Sequence, residues 1–107
     1  MARNRSELVT IFWRDIPAQV NAQVGRTRHQ VVLPERFQQA IGQAKHEAQI
    51  YTAEEDVAQW RRETRSLTDK PESAAAAAVS DIETTYTPER LRDLARAAGH
   101  NPSRERT

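Results

Sequence analysis

Along residues 7–33 the apolar and polar positions fit strands, first with both faces apolar and then, from Ala18, in alternation. "ELVTIFWR", residues 7–14, is rich in β-branched and aromatic side chains and reads as a strand. Val9, Ile11 and Trp13 fall on one face, and Leu8, Thr10, Phe12 and Arg14 on the other. Two largely apolar faces suit a central strand. Pro17 lacks an amide hydrogen and biases Ile16 away from helix. A bulge or tight corner follows, with Asp15 able to accept backbone amides beyond it or to pair with Arg14, Arg26 or Arg28. Ala18, Val20 and Ala22 then alternate with Gln19, Asn21 and Gln23, a half-buried strand of small core residues. "VGRT", 24–27, makes a turn in which Gly25 is free to take positive φ, and "RHQVVL", 28–33, is the return strand. Arg28 and Gln30 mark a polar edge, while Val31 and Leu33 face the helices.

From Pro34 the period changes to that of a helix. Pro34 suits a first turn, with Glu35 at the positive end of the dipole, and Phe37, Ile41, Ala44 and Ala48 recur at helical spacing to about Gln49. Leu33 packs back on Phe37 as a staple. Gly42 costs this helix roughly 1 kcal/mol against alanine and invites close approach to the sheet. "TAEE", 52–55, is a capping box, and the helix it opens carries Val57, Trp60, Thr64 and Leu67 on one face. "TDKPES", 68–73, reads as a linker. A further helix follows, capped by Ser73, with Ala75, Val79, Ile82 and Tyr86 in register. "TPER", 87–90, starts the last helix by the cap-then-proline rule. Its stripe is Leu91, Leu94, Ala95 and Ala98, and Gly99 closes it.

The predicted architecture is α+β: a three-stranded antiparallel β-meander packed by two helices, followed by two C-terminal helices. Residues 1–6 form a disordered N-terminus, 7–67 an α+β core domain, 68–73 a linker, 74–99 a C-terminal helical extension and 100–107 a flexible tail.

Composition narrows the chemistry. The 107 residues are 37% apolar and 29% charged, enough for one modest core. A net charge of +1 gives no global field toward nucleic acid or membrane. No cysteine is present, which excludes disulfides, thiolate metal sites and cysteine nucleophiles. No apolar run approaches a membrane span and no secretory h-region follows Met1, so a cytoplasmic protein is expected. His29, His46 and His100 lack metal-ligand spacing. The serines sit in no nucleophile elbow. Gly25, Gly42 and Gly99 lie too far apart for a phosphate loop. Neither catalysis nor a cofactor is expected.

Two aromatic–arginine junctions remain, Trp13-Arg14-Asp15 and Trp60-Arg61-Arg62. Both tryptophans fall at core phase. Folding accounts for Trp13, Pro17, Val20 and Asp15 but offers no role for Arg14, which points to solvent or a partner. The basic groups Arg26, Arg28 and His29 lie at the hairpin.

"TIFWRDIPAQV", the "GR" turn, "VVLPERFQQAI" and "AQWRR" together resemble the small bacterial proteins of the virulence factor domain family, related to the C-terminal region of conserved virulence factor proteins. "TYTPERLRDLARAAG" resembles their C-terminal part, so the likeness spans about residues 8–99. The family pattern maps onto residues 13–20, Gly25, Arg26, Arg36, Phe37, Trp60 and Arg61, and implies no catalytic role for any of them. The leading expectation is a non-catalytic accessory module that binds a protein partner through the Arg14–Gln19 corner. Its contact residues would be Trp13, Arg14, Asp15, Pro17, Gln19, Arg26, Arg28, Trp60 and Arg61. Relatives beside genes of corrinoid methyl transfer and folate reduction imply an alternative, an accessory subunit of a one-carbon methyl-transfer system, with Trp13 or Trp60 walling a cofactor pocket. A third reading is weak RNA or DNA binding through the arginines, disfavoured because no aromatics interleave with them. A meander leaves two edges, and one could pair in a homodimer.

Overall fold

The computed structural model of the chain describes residues 6–67 and 70–101. Three strands, β1 (Ser6–Trp13), β2 (Ile16–Val24) and β3 (Thr27–Val32), form the expected meander. Helices α1 (Glu35–Glu47) and α2 (Ala53–Val57) follow, then a strand, β4 (Trp60–Ser66), and helices α3 (Pro71–Thr85) and α4 (Pro88–Arg96). The sheet is antiparallel with order β3-β2-β1-β4. β1 is central, as its two apolar faces required.

The fourth strand corrects the helix expected to run through Trp60 and Thr64. The Thr52 cap forms: the Glu55 N–H donates to Thr52 Oγ1 (3.2 Å), and that hydroxyl, rather than the Thr52 N–H of a full capping box, donates to Glu55 Oε1 (3.0 Å). It caps only five residues, and Val57 is left exposed. The reason lies in β1, whose second edge would otherwise bury unpaired backbone groups. "WRRETRS" satisfies them from Ser66 opposite Glu7 to Trp60 opposite Trp13.

The corner after Trp13 contains the expected bulge. The partner of β1 jumps from Gln19 at Ile11 to Pro17 at Phe12, leaving Ala18 outside the ladder to β1. A proline, with no N–H to pair, fits at such a break. The Ala18 carbonyl instead accepts the Leu33 N–H (3.2 Å).

Two apolar clusters hold the layers together. One joins Trp13, Ile16, Ala18 and Leu33 to Phe37, Ile41 and Ala44 of α1 and to Leu91, Leu94 and Ala95 of α4. The other joins Leu8, Val20 and Ala22 to Leu67 and to Ala75 and Ala78 of α3, whose small side chains let the helix lie close over β2 and β3. Helix α3 opens with Pro71 in its first turn and Lys70 as N-cap, so Ser73 lies inside the helix rather than capping it. Residues 1–5, 68–69 and 102–107, which include most of the expected loose termini and part of the expected linker, lie outside the described residues. Gly42 faces solvent, with nothing within 4 Å of an added Cβ, so the expected close approach to the sheet is absent there. Close approach occurs at Gly99 (φ 88°), where a Cβ would stand 2.8 Å from Trp13 Cζ3.

Candidate functional site

The two aromatic–arginine junctions meet. Trp13 and Trp60 are cross-strand partners at the end of the β1–β4 ladder. Trp13 is fully buried, and its indole donates to Asp56 Oδ1 (2.8 Å). Lys45 Nζ lies 3.0 Å from the same oxygen, and 6.0 and 5.7 Å from the Trp13 and Trp60 rings. Burial raises the pKa of the Asp56 carboxyl, but the Lys45 and Trp13 donors, the Lys45 charge and the Trp60 indole outweigh it. They hold the group below its ordinary 3.8.

Arg14 does not point away from the molecule. It sits at φ 54°, a strained conformation for a residue with a long side chain, and both its backbone groups and two of its side-chain nitrogens are tied down. Its N–H donates to the Gln59 carbonyl, its Nε to Gln59 Oε1 and its Nη1 to the Ala98 carbonyl, each at 2.9 Å. The guanidinium stacks over the Trp13 ring at 5.2 Å. Its own carbonyl accepts Arg61 Nε (2.7 Å). Folding therefore does account for Arg14: it clasps the β1–β2 corner to the α2–β4 turn and to the end of α4.

Among the described residues Asp15 pairs with Arg61 rather than with Arg14, Arg26 or Arg28. Its carboxylate accepts Arg61 Nη2 (3.1 Å) and the Asn101 N–H (2.7 Å), while its own N–H donates to the Gly99 carbonyl (2.9 Å). Arg61 also covers the Phe12 ring at 4.3 Å and pairs with Glu63. The end of α4 is shaped to reach this corner. Ala98 takes φ 59°, and the Gly99 and Ala98 N–H groups return to the Leu94 and Ala95 carbonyls (2.7 and 3.1 Å), a Schellman ending. A shallow cavity of about 370 Å³ remains beside the clasp, lined by Arg14, Asp15, Ala58, Gln59, Trp60, Arg61 and His100.

Trp13, Arg14, Asp15, Trp60 and Arg61 thus gather at one end of the sheet. Pro17 is buried next to them. Arg26 and Arg28 belong to the hairpin at the opposite end, where β2 turns into β3 opposite Ser6. That is the length of an eight-residue strand away, about 25 Å at ~3.3 Å per residue. Gln19 belongs to a different surface. Cross-strand partners share a face, and the register aligns Val32–Gln19–Ile11–Arg62, Gln30–Asn21–Val9–Thr64 and Arg28–Gln23–Glu7–Ser66 across all four strands.

This is the face away from α3. It holds a cavity of about 540 Å³ lined by Glu7, Val9, Ile11, Asn21, Gln23, Arg28, Trp60, Arg61 and Arg62, strand residues alone. Its floor is aliphatic and its rim carries amides and arginine. Trp60 (37% exposed) stands at one end and Val32 (58% exposed) on the outer strand. Sequence reasoning missed this surface because Arg62 and Thr64 were placed on a helix. Little in the sequence signals it: after Trp60 the strand is polar or charged on both faces, so no period of two shows. It missed Asp56, Lys45 and Gln59 as well, because nothing local marks them as partners of a corner more than 30 residues away.

The family model described as "Virulence factor" matches residues 11–95. The chain belongs to the virulence factor family. No curated protein and no solved structure matches it. The span matched within this virulence factor domain runs from the last three residues of β1 to α4 and contains both aromatic–arginine junctions. The Gly99 and Asn101 contacts that close on Asp15 lie just beyond it. Among the described residues no group of three potential metal ligands occurs, and no helix is long and apolar enough to cross a membrane.

Proposed function

We propose that this virulence factor domain acts by binding: it is an interaction module whose partner, a protein segment presenting apolar side chains flanked by carboxylates, lies on the strand face opposite α3. The single observation that carries this reading is the cavity lined by strand residues alone, with Val9 and Ile11 as floor and Trp60, Arg28 and Arg62 around it. An apolar centre with a polar rim is the anatomy of a protein interface, and tryptophan and arginine are the side chains that carry most binding energy there. Arginine prefers a carboxylate it can engage with two parallel hydrogen bonds, which sets the charge of the partner. Gln19, Arg28, Trp60 and Arg61 keep the contact role expected of them. Arg14 and Asp15 act instead by holding Trp60 and Arg61 in place. A nucleic acid is less well served, because the centre of the face is aliphatic where single-stranded bases require stacking rings.

The test is capture of partners by the wild-type chain and by Arg62→Glu and Val32→Glu variants with unchanged melting temperature. Loss of the same partner from both variants supports the reading. Retention in both, or a gel shift with RNA at low salt, contradicts it.

A further inference from the structure

Among the described residues β4 is the last strand on its side of the sheet. Its backbone directions are set by two hydrogen bonds at its ends. The Leu67 N–H donates to the Ser6 carbonyl (3.1 Å), and the Arg14 N–H donates to the Gln59 carbonyl (2.9 Å). With the β1–β4 register, these turn the odd-numbered backbone groups toward β1, so the N–H and C=O of Arg62, Thr64 and Ser66 point outward. Six of the seven β4 residues are exposed. Glu63, Thr64 and Arg65 line an open groove beside α3.

We propose that two copies of the chain pair through β4, antiparallel, about a two-fold axis at Thr64, giving one continuous eight-stranded sheet. Symmetry leaves few registers, because an antiparallel pair about an axis normal to the sheet must join outward-facing residues of like parity. Centring on Arg62 sets that arginine against itself, and also asks for Arg61, which Asp15 and the Arg14 carbonyl already hold. Centring on Glu63 keeps the same outward backbone groups paired but sets glutamate against glutamate, and Arg61 against the partner's Arg65. Centring on Thr64 places threonine against threonine, Arg62 against the partner's Ser66, and Glu63 against the partner's Arg65 twice over. Opposite charges directly across strands are favourable, and like charges unfavourable. The other edge, β3, offers no such charge match: by the Leu33–Ala18 bond its outward residues are Arg28, Gln30 and Val32, and β3 carries no carboxylate to set against Arg28 in any register. Pairing through β4 satisfies an edge that would otherwise invite uncontrolled association and leaves the strand face opposite α3 open on both copies.

The experiment is sedimentation velocity on the full chain over a concentration series up to millimolar. The wild type is expected to approach twice 12.2 kDa. Glu63→Arg and Arg65→Glu, each alone, set like charges across the axis and should weaken self-association about tenfold or more. Mixed together, the two variants carry complementary charges and should form a heterodimer as tight as the wild-type pair. Circular dichroism of each variant establishes that it is folded, and Arg65→Glu leaves the Arg61 contacts untouched. A wild-type chain that stays monomeric throughout overturns the pairing, and so does a dimer that both single variants leave intact or that mixing fails to restore. A monomer would leave the proposed partner surface standing.

Discussion

Two stretches of this chain begin alike, Trp-Arg-Asp at 13–15 and Trp-Arg-Arg at 60–62, and they lie side by side as cross-strand neighbours. Their fates differ. Trp13 is fully buried, with its indole on Asp56 and its ring against Gly99; Trp60 keeps more than a third of its surface. Arg14 spends its donors inward on Gln59 and Ala98, whereas Arg62 is exposed on the strand face opposite α3. The difference comes from what surrounds each strand end, not from the residues. β1 is central and is met by α1, α4 and the α2–β4 turn; β4 is an edge. The first junction therefore builds the fold and the second supplies the surface.

The largest expected break in this comparison is Trp13→Ala. Loss of a fully buried indole should destabilise by about 3–5 kcal/mol, read as a fall in the urea midpoint, while Trp60→Ala should change stability by about 1 kcal/mol or less. Gly99→Ala comes next. The new Cβ meets the Trp13 ring at a backbone angle that alanine rarely adopts, and overpacking of this kind costs about 1–3 kcal/mol. Gly42→Ala sharpens the point from the other side. With open space around it inside α1, it should stabilise by about 0.5–1 kcal/mol.

Much of the fold is written in local pattern. The alternation through Val20 and Ala22, the turn at Gly25, the helical spacing from Phe37 to Ala44 and the cap at Thr87 each report their element because each element buries one face of its own sequence. β4 does not, since an edge strand with six charged or polar residues out of seven has almost nothing to bury. Its conformation is imposed by the open edge of β1, about 50 residues earlier in sequence. The site divides the same way. Trp13 and Trp60 stand out by type, but the left-handed turn at Arg14 and the reach of Ala98 and Asn101 to Arg14 and Asp15 are products of tertiary packing. No local spacing encodes them. Arg14 has no local explanation because its partners lie 45 and 84 positions away.

A smaller effect comes from pH. Because its donors hold Asp56 below 3.8 in the fold, its ionised form favours the folded state. That contribution is complete above the ordinary value and is lost as pH falls through the lowered one. Melting temperature of the wild type should therefore drop more steeply below about pH 4 than that of Asp56→Asn, which starts lower at neutral pH and has less to lose.

The most direct measurement sets the two junctions against each other: urea unfolding of Asp15→Ala and Arg62→Ala beside the wild type. Asp15→Ala strips a charged pair from Arg61 and an acceptor from Asn101 and should lower stability by about 1–3 kcal/mol, while Arg62→Ala should stay within about 0.5 kcal/mol. An Asp15→Ala chain that unfolds with the wild type, or an Arg62→Ala chain that unfolds well before it, would contradict the division of the two junctions into frame and surface.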